Sequence, residues 1–233
     1  MSMDRNGNAY TFIFAIIMVV IIAAGLAFTA TTLKPLQAKN VKNEKMQNIL
    51  STVGVVVPRD EASEKFGEYI QEELALTSEG KVSEGVDAFT LDLKKELKKT
   101  SDKQHYPVYV ANKDGKTFYV IPLYGAGLWD AIWGYIALED DKNTIVGASF
   151  DHKGETPGLG AEINQYWFED QFIGKTIFDE NNNFISVKAV KGGAPQGDMH
   201  GVDAISGGTI TSDGVSNMIS ERLEHYLPYF KNN

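Results

Sequence analysis

The chain has 233 residues, with 22 Lys+Arg against 31 Asp+Glu and a net charge of −9. That acidic balance excludes the basic footprint a nucleic-acid binder needs. The absence of cysteine excludes disulfides, thiolate zinc sites, iron–sulfur ligation and cysteine nucleophiles, and suits an exported protein.

Residues 10–33 contain no charged side chain. At about 1.5 Å per residue, a helix of that length covers a hydrocarbon core of ~30 Å. A cleaved secretory signal is the competing reading, but its apolar core runs to about 7–15 residues behind a basic segment. Here the run is longer, and only Asp4 and Arg5 are charged ahead of it. The pattern predicts a retained transmembrane helix at 10–33 after a tail at 1–9. Charge divides around it. Residues 1–47 hold five basic and two acidic side chains, a net of +3, while 48–233 hold 17 and 29, a net of −12. The acidic part is long enough for one core-bearing domain and short for two. Lys34, Lys39, Lys42 and Lys45 follow the apolar run and, by the positive-inside rule, put that domain in the cytoplasm.

Residues 34–58 read as a Lys-rich helical stretch ending in Met46, Ile49, Leu50 and Val53, and 59–233 as the domain itself. Asp60 is a candidate cap for a helix with Ala62, Phe66, Ile70 and Leu74 on one face. Segments 108–111 and 117–123 flank Asn112-Lys113-Asp114-Gly115, a hairpin pattern. Segments 134–139 and 144–151 flank a second turn, whose chemistry explains the Asp140/Asp141 pair better than a metal does. A strand is predicted at 184–190, a helix at 161–172, and a last helix at 213–229 on Val215, Ile219, Leu223 and Leu227. The fold class is α+β: an antiparallel sheet with packed helices, preceded by one N-terminal transmembrane helix.

The chain has no P-loop, dinucleotide fingerprint, H-E-x-x-H or G-x-S-x-G. Gly-Gly-Ala-Pro-Gln-Gly at 192–197 lacks the P-loop lysine, and His105, His152, His200 and His225 are too dispersed to suggest a site by spacing. No metal ligand and no catalytic side chain is predicted. What remains is Asp203-Ala-Ile-Ser206-Gly207-Gly208-Thr209-Ile-Thr211-Ser212-Asp213. By residue chemistry it is a glycine-rich turn bringing hydroxyls to the start of the last helix. Thr211 or Ser212 would cap that helix, and its positive dipole end favours a phosphate. An ordinary capped helix start is the alternative.

Asp203 followed by Ser206-Gly207-Gly208-Thr209 resembles the flavinylation motif D-x-x-[ST]-G-[AG]-[ST], with Gly208 where alanine is usual. In proteins with that motif a flavin transferase joins FMN through its phosphate to the final threonine. Two further segments are similar to the FMN-binding domain of the C-type subunit of the sodium-translocating NADH:quinone reductase. They are Gly125-Ala-Gly127-Leu128-Trp129-Asp130, leading into Gly134-Tyr-Ile-Ala-Leu138, and Glu155-Thr156-Pro157-Gly158-Leu159-Gly160. The G-type subunit of the ferredoxin:NAD electron-transport complex shares the anchor, the second segment and the threonine motif. The Gly-Leu-Trp-Asp block favours the quinone-reductase family.

The resemblance implies an FMN-binding domain on a single-pass anchor in a bacterial inner membrane, relaying electrons from NADH toward quinone. It implies FMN held covalently on Thr209, with Asp203, Ser206, Gly207 and Gly208 in the attachment site. Trp129 and Leu159 would wall the flavin, and Glu155, Thr156 and Gly160 would offer polar or backbone contacts to its ring. The implied partners are the FMN-bearing B-type subunit, the NADH-oxidising FAD/iron–sulfur subunit, small membrane subunits and the flavin transferase. It also implies a periplasmic domain, against the lysine count. Helix physics agrees on Thr209, because a cap at Thr211 or Ser212 leaves Thr209 just outside the helix start. Two other readings stand beside it: the G-type subunit of the ferredoxin-linked complex, and a non-redox extracytoplasmic binding module whose Gly/Ser/Thr turn is merely a helix start. For Trp129 itself the alternative is core packing.

Overall fold

The structure, a computed structural model, describes residues 7–232; positions 1–6 of the predicted tail and residue 233 lie outside it. Two units divide the chain, Met1–Glu44 and Lys45–Asn233. Helix α1, Asn8–Thr52, runs through the division. Its apolar part has a mean hydropathy of 2.8 over 18 residues, long and apolar enough to cross a membrane. Hydroxyls within it are satisfied locally: Thr29, Thr31 and Thr32 donate to the carbonyls of Gly25, Ala27 and Phe28 at 2.9, 2.7 and 2.8 Å. Such back-bonding satisfies these three hydroxyls within the helix itself.

The second unit is built on a five-stranded antiparallel sheet in the order β1 (Ile70–Leu76), β2 (Tyr106–Lys113), β3 (Lys116–Ala126), β4 (Ala131–Glu139) and β5 (Ile145–His152). Both predicted hairpins form. The first closes through Asp114 and Gly115, both at positive φ (53° and 77°), as a two-residue turn between twisted strands demands. In the second, the Asp141 carboxylate accepts the N–H groups of Asn143 and Thr144, both at 2.8 Å. That is turn chemistry, as expected.

Alternation along the strands produces two cores. Val108, Ile121, Ile136 and Phe150 face one side, under α5 (Thr209–Glu224). Tyr109, Val120, Tyr135 and Ala137 face the other, where they meet Met46, Ile49, Leu50 and Val53 from the last turns of α1 and Phe66 of α2 (Ala62–Tyr69). A Cβ on Gly147 would stand 2.2 Å from the Thr52 carbonyl oxygen, so β5 must be bare there for α1 to sit down. The remaining elements are short: α3 (Leu93–Glu96), α4 (Tyr166–Glu169), the parallel pair β6 (Lys188–Val190) and β7 (Gly201–Asp203), and α6 (Leu227–Asn232).

Five predicted elements need correction, the last helix among them, which is not one run over 213–229 but α5 (Thr209–Glu224) and α6 (Leu227–Asn232). The juxtamembrane helix stops at Thr52 rather than 58: Gly54 and Val55 donate back to Ser51 and Leu50 in a C-terminal wrap. The helix after Asp60 ends at Tyr69, is preceded by Glu61 with no side-chain cap, and Ile70 and Leu74 belong to β1. A spacing of four satisfies a strand as well as a helix, since four is twice the strand period. The helix predicted at 161–172 is three short turns, broken at the extended Gln165, although Ile163, Phe168 and Phe172 are buried as a helix face would be. The strand at 184–190 survives only as β6, because Ser186 at φ 68° interrupts the extended backbone.

Glu169 meets the outer edge of the sheet. Its Oε1 accepts the Phe150 N–H of β5 at 2.6 Å. Burial pushes its carboxyl up to about 7, with Asp170 and Asp151 adding repulsion against the pull of the Phe150 N–H. A carboxyl raised in the folded state costs nothing below its unfolded value. The penalty grows as pH rises toward the folded value and is constant above it. Glu169→Gln keeps an acceptor for Phe150 and removes that penalty, which is at most about 3 kcal/mol. Thermal unfolding at two pH values checks this: the variant should gain several degrees over the parent at pH 8 and little at pH 4.5.

Candidate functional site

The site forms where the start of α5 meets the loops at one end of the sheet. The turn before the helix closes through a Gly208 N–H to Ile205 carbonyl bond of 3.0 Å, with Gly207 at φ 76°. A non-glycine residue at 207 would be strained there, and its Cβ would stand 2.7 Å from Leu159 Cδ2. The helix begins at Thr209, with Gly208 at its cap position. This corrects the expected cap. Thr211 and Ser212 lie inside the first turn and are buried. The Ser212 hydroxyl accepts the Ile205 N–H at 3.0 Å and donates to the Gly208 carbonyl at 3.0 Å, tying the turn to the helix from within. Thr209 is therefore the first helical residue, not the one outside.

Of the hydroxyls offered by the motif, Ser206 is exposed, Thr209 half-buried, and Thr211 and Ser212 buried. Thr209 and Ser206 line a cavity of about 460 Å³ together with Gly207, Asp203, Gly193 and Lys191. Asp203 holds the opposite wall in place. Its Oδ1 accepts the Ala194 N–H at 2.7 Å, and its own N–H donates to Gln171 Oε1 at 2.7 Å. The Lys191–Gly193 wall is a part that sequence reasoning missed, since nothing near those residues in the chain links them to Thr209.

The two other predicted segments converge on the same helix start. Trp129 is 68% exposed and Leu159 41%, so neither is a core residue. The core-packing alternative for Trp129 is thereby overturned. Its indole Nε1 donates to Thr156 Oγ1 at 3.2 Å, and its backbone N–H donates to Glu155 Oε1 at 2.9 Å. Glu155 is 4% exposed, and its Oε2 accepts the Thr211 hydroxyl at 2.6 Å. Gly160 is buried against both: a Cβ there would stand 2.4 Å from Thr211 Oγ1 and 2.5 Å from Glu155 Oε2. Beside this loop, Lys153 pairs with Asp130 at 2.7 Å and holds that carboxyl below its ordinary range. A second, larger cavity of about 750 Å³ is lined by Trp129, Tyr124, Arg222 and His225 but by none of the motif hydroxyls.

A flavin mononucleotide fits what is present. The cavity at Thr209 has the size of small-molecule sites. Thr209 and Ser206 lie on its wall, and an exposed indole stands on a loop tied to the same helix. No group of three or more His, Asp or Glu side chains could hold a metal ion among the described residues.

Residues 127–224, which include Trp129, Glu155, Thr156, Leu159, Gly160, Asp203 and Thr209, match the FMN-binding domain family, and that is the class of the domain. The similarity extends well beyond it. Over 207 residues the chain is 34% identical to the C-type subunit of the Na(+)-translocating NADH-quinone reductase of Vibrio campbellii, covering 80% of this chain and 79% of that one. Among solved structures, the C-type subunit from Parabacteroides distasonis superposes with a TM-score of 0.79 at 44% identity, covering 86% of this chain and 98% of that one. Shewanella oneidensis NqrC gives 0.70 at 31%, covering 82% and 97%. The chain belongs to the NqrC family, the C-type subunits of the Na(+)-translocating NADH-quinone reductases.

The crowding at Gly160 yields a direct test. Gly160→Ala forces a methyl group into the Glu155–Thr211 contact and should cost about 1–3 kcal/mol. Gly158→Ala, with open space around it but φ 74°, should cost ~1 kcal/mol from backbone strain alone. Thermal unfolding of the two variants should place Gly160→Ala lower.

Proposed function

We propose that the chain is the membrane-anchored, FMN-carrying subunit of a sodium-translocating NADH:quinone reductase, relaying electrons from NADH toward quinone. FMN is joined through its phosphate to Thr209 by a flavin transferase. The observation that carries this reading is the sorting of hydroxyls at the helix start. Thr211 and Ser212 are buried and spent on Glu155, Ile205 and Gly208, whereas Thr209 occupies the motif's final position on a cavity wall. The quinone-reductase names of the relatives support this complex over the ferredoxin-linked one.

When bound, FMN supplies reversible electron transfer. The chain's own task is to fix and shield it. The attachment side chain sits on a helix anchored by Val215, Met218 and Ile219, each fully or almost fully buried. Trp129 and Leu159 offer apolar surface for the ring, and Thr156 and Gly160 lie on the same loop as Leu159. Asp203, Ser206, Gly207 and Gly208 shape the turn that presents Thr209. A helix start with no acidic residue in its first turn is electrostatically suited to a phosphodiester. In the complex, the partners are the FMN-bearing B-type subunit, the NADH-oxidising FAD/iron–sulfur subunit and small membrane subunits.

The apolar run at 10–33 anchors the chain in a bacterial inner membrane, with 59–233 on the periplasmic side. The lysines after the anchor oppose this, but less than their number suggests. The Lys45 ammonium donates to the Phe89 carbonyl and lies 4.4 Å from the centre of the Phe89 ring, so it belongs to the domain's packing. Protease added to intact spheroplasts should digest the domain; full protection would reverse the orientation.

Thr209→Val, made in a host containing the transferase, should fold and reach the membrane yet show no flavin fluorescence after denaturing electrophoresis. Thr211→Val should remain fluorescent. Peptide mass spectrometry placing FMN on Ser206 or Thr211 would show the assignment to be wrong.

A further inference from the structure

The resemblance implies that Glu155 touches the flavin ring, yet both of its oxygens are committed within the protein. Oε1 accepts the Trp129 backbone N–H at 2.9 Å, and Oε2 accepts the Thr211 hydroxyl at 2.6 Å. The carboxylate is 4% exposed. Its own backbone N–H donates to His152 Nδ1 at 3.2 Å, which fixes the start of the 155–160 loop on the end of β5. A buried carboxylate is tolerated only where donors replace its water, and each donor removed leaves the charge short of a partner.

The glycines around it make room for the carboxylate. A Cβ on Gly127 would stand 2.5 Å from Oε1, and one on Gly160 would stand 2.5 Å from Oε2. The Gly-Leu-Trp-Asp block and the Glu-Thr-Pro-Gly-Leu-Gly loop thus close around one side chain from opposite sides. Thr211, two residues beyond Thr209 in the same helical turn, is the third party. Three segments distant in sequence meet at this carboxylate.

We propose that Glu155 is a positioning residue that ties the Trp129 loop to the first turn of α5, fixing the distance between the flavin's ring wall and its attachment side chain, rather than a contact to the flavin itself. This rests on the reading of Thr209 as the attachment site. Glutamine can take over the tie. Its carbonyl oxygen accepts the Trp129 N–H, and its NH₂ donates to the Thr211 oxygen once that hydroxyl turns around. Alanine cannot. Thr211→Val removes one half of the tie at nearly constant volume.

The test uses the full chain in nanodiscs, in FMN-free and flavinylated forms. In the FMN-free form, hydrogen exchange of a peptide covering 127–131 should be at least tenfold faster in Glu155→Ala than in the parent and close to the parent in Glu155→Gln. In the flavinylated form, Glu155→Ala and Thr211→Val should both shift the flavin's absorption and reduction potential while keeping the covalent link. The double variant should shift them no further than Glu155→Ala alone, because the two changes cut one connection. If Glu155→Ala does not fold, Thr211→Val and Glu155→Gln carry the same contrast. A silent Thr211→Val, additive effects in the double variant, or a glutamine variant whose flavin is displaced like the alanine variant's would overturn the tie and return Glu155 to the ring. A parent chain that carries no FMN on Thr209 would overturn both the reading and the inference.

Discussion

How closely α5 approaches the end of β3 decides where everything at the cavity end lies. Inside the helix, a Cβ on Gly214 would stand 2.4 Å from the Ala126 carbonyl oxygen. On the strand, one on Gly125 would stand 2.7 Å from Met218 Cβ. Each contact has a glycine on one side: at Gly214 the helix backbone meets the Ala126 carbonyl of the strand, and at Gly125 the strand backbone meets the Met218 side chain. Further along the helix, Val215, Ile219 and Leu223 are buried in the core, each contributing about 1.5–3 kcal/mol by leaving water. The helix cannot slide or tilt at its first turn without opening that core. Thr209 and Thr211 inherit their positions from this packing, and the site's precision is a consequence of the core's.

The opposite face of the sheet carries a different load. Met46, Ile49, Leu50 and Val53 press against Tyr109, Val120 and Ala137. Phe66, Phe89 and Tyr109 pack edge to face, with centroids 5.5–6.4 Å apart. The Lys45 ammonium sits over the Phe89 ring, and the carboxylates of Glu73, Asp87 and Asp92 add to the attraction. The last turns of α1 are thus part of the domain's fold, and a cut within residues 46–53 would cost the domain one of its two cores. The five-stranded sheet is buried on both sides and stiff between them, which suits a cofactor whose usefulness depends on a fixed orientation.

Much of this was legible from the chain alone. The hairpins announced themselves because Asp114-Gly115 and the Asp141 turn are local chemistry, decided by residues adjacent in sequence. The resemblance grouped the motif residues into one site, and Trp129 stands exposed rather than in the core. The errors came where distant contacts overrule local pattern. Ile70 and Leu74 satisfied helical spacing, but the open edge of β2 captured them as a strand from Ile70↔Ala111 to Leu76↔Tyr106. Thr211 and Ser212 looked like caps because caps are recognised by the bonds they make to near neighbours. Thr211 instead bonds Glu155, 56 residues away, and no reading of local sequence announces that.

The same distinction separates two kinds of residue within the recognisable motifs. The glycines at 127, 160, 207 and 214 are each closed off by protein atoms: Glu155 oxygens, the Thr211 hydroxyl, Leu159 and the Ala126 carbonyl. Their lack of a side chain serves the packing of loops on the helix, and Gly207 also lines the cavity beside Thr209. The residues left to meet a ligand are those that this packing does not consume: Trp129, Thr156, Leu159, Ser206 and Thr209, all exposed or half-buried. A sequence signature that reads as one flavin site is therefore two superimposed records. The inward-facing residues fix where the loops stand relative to α5. The outward-facing ones are the side chains accessible to a ligand, and their spacing depends on the inward set holding the loops in register.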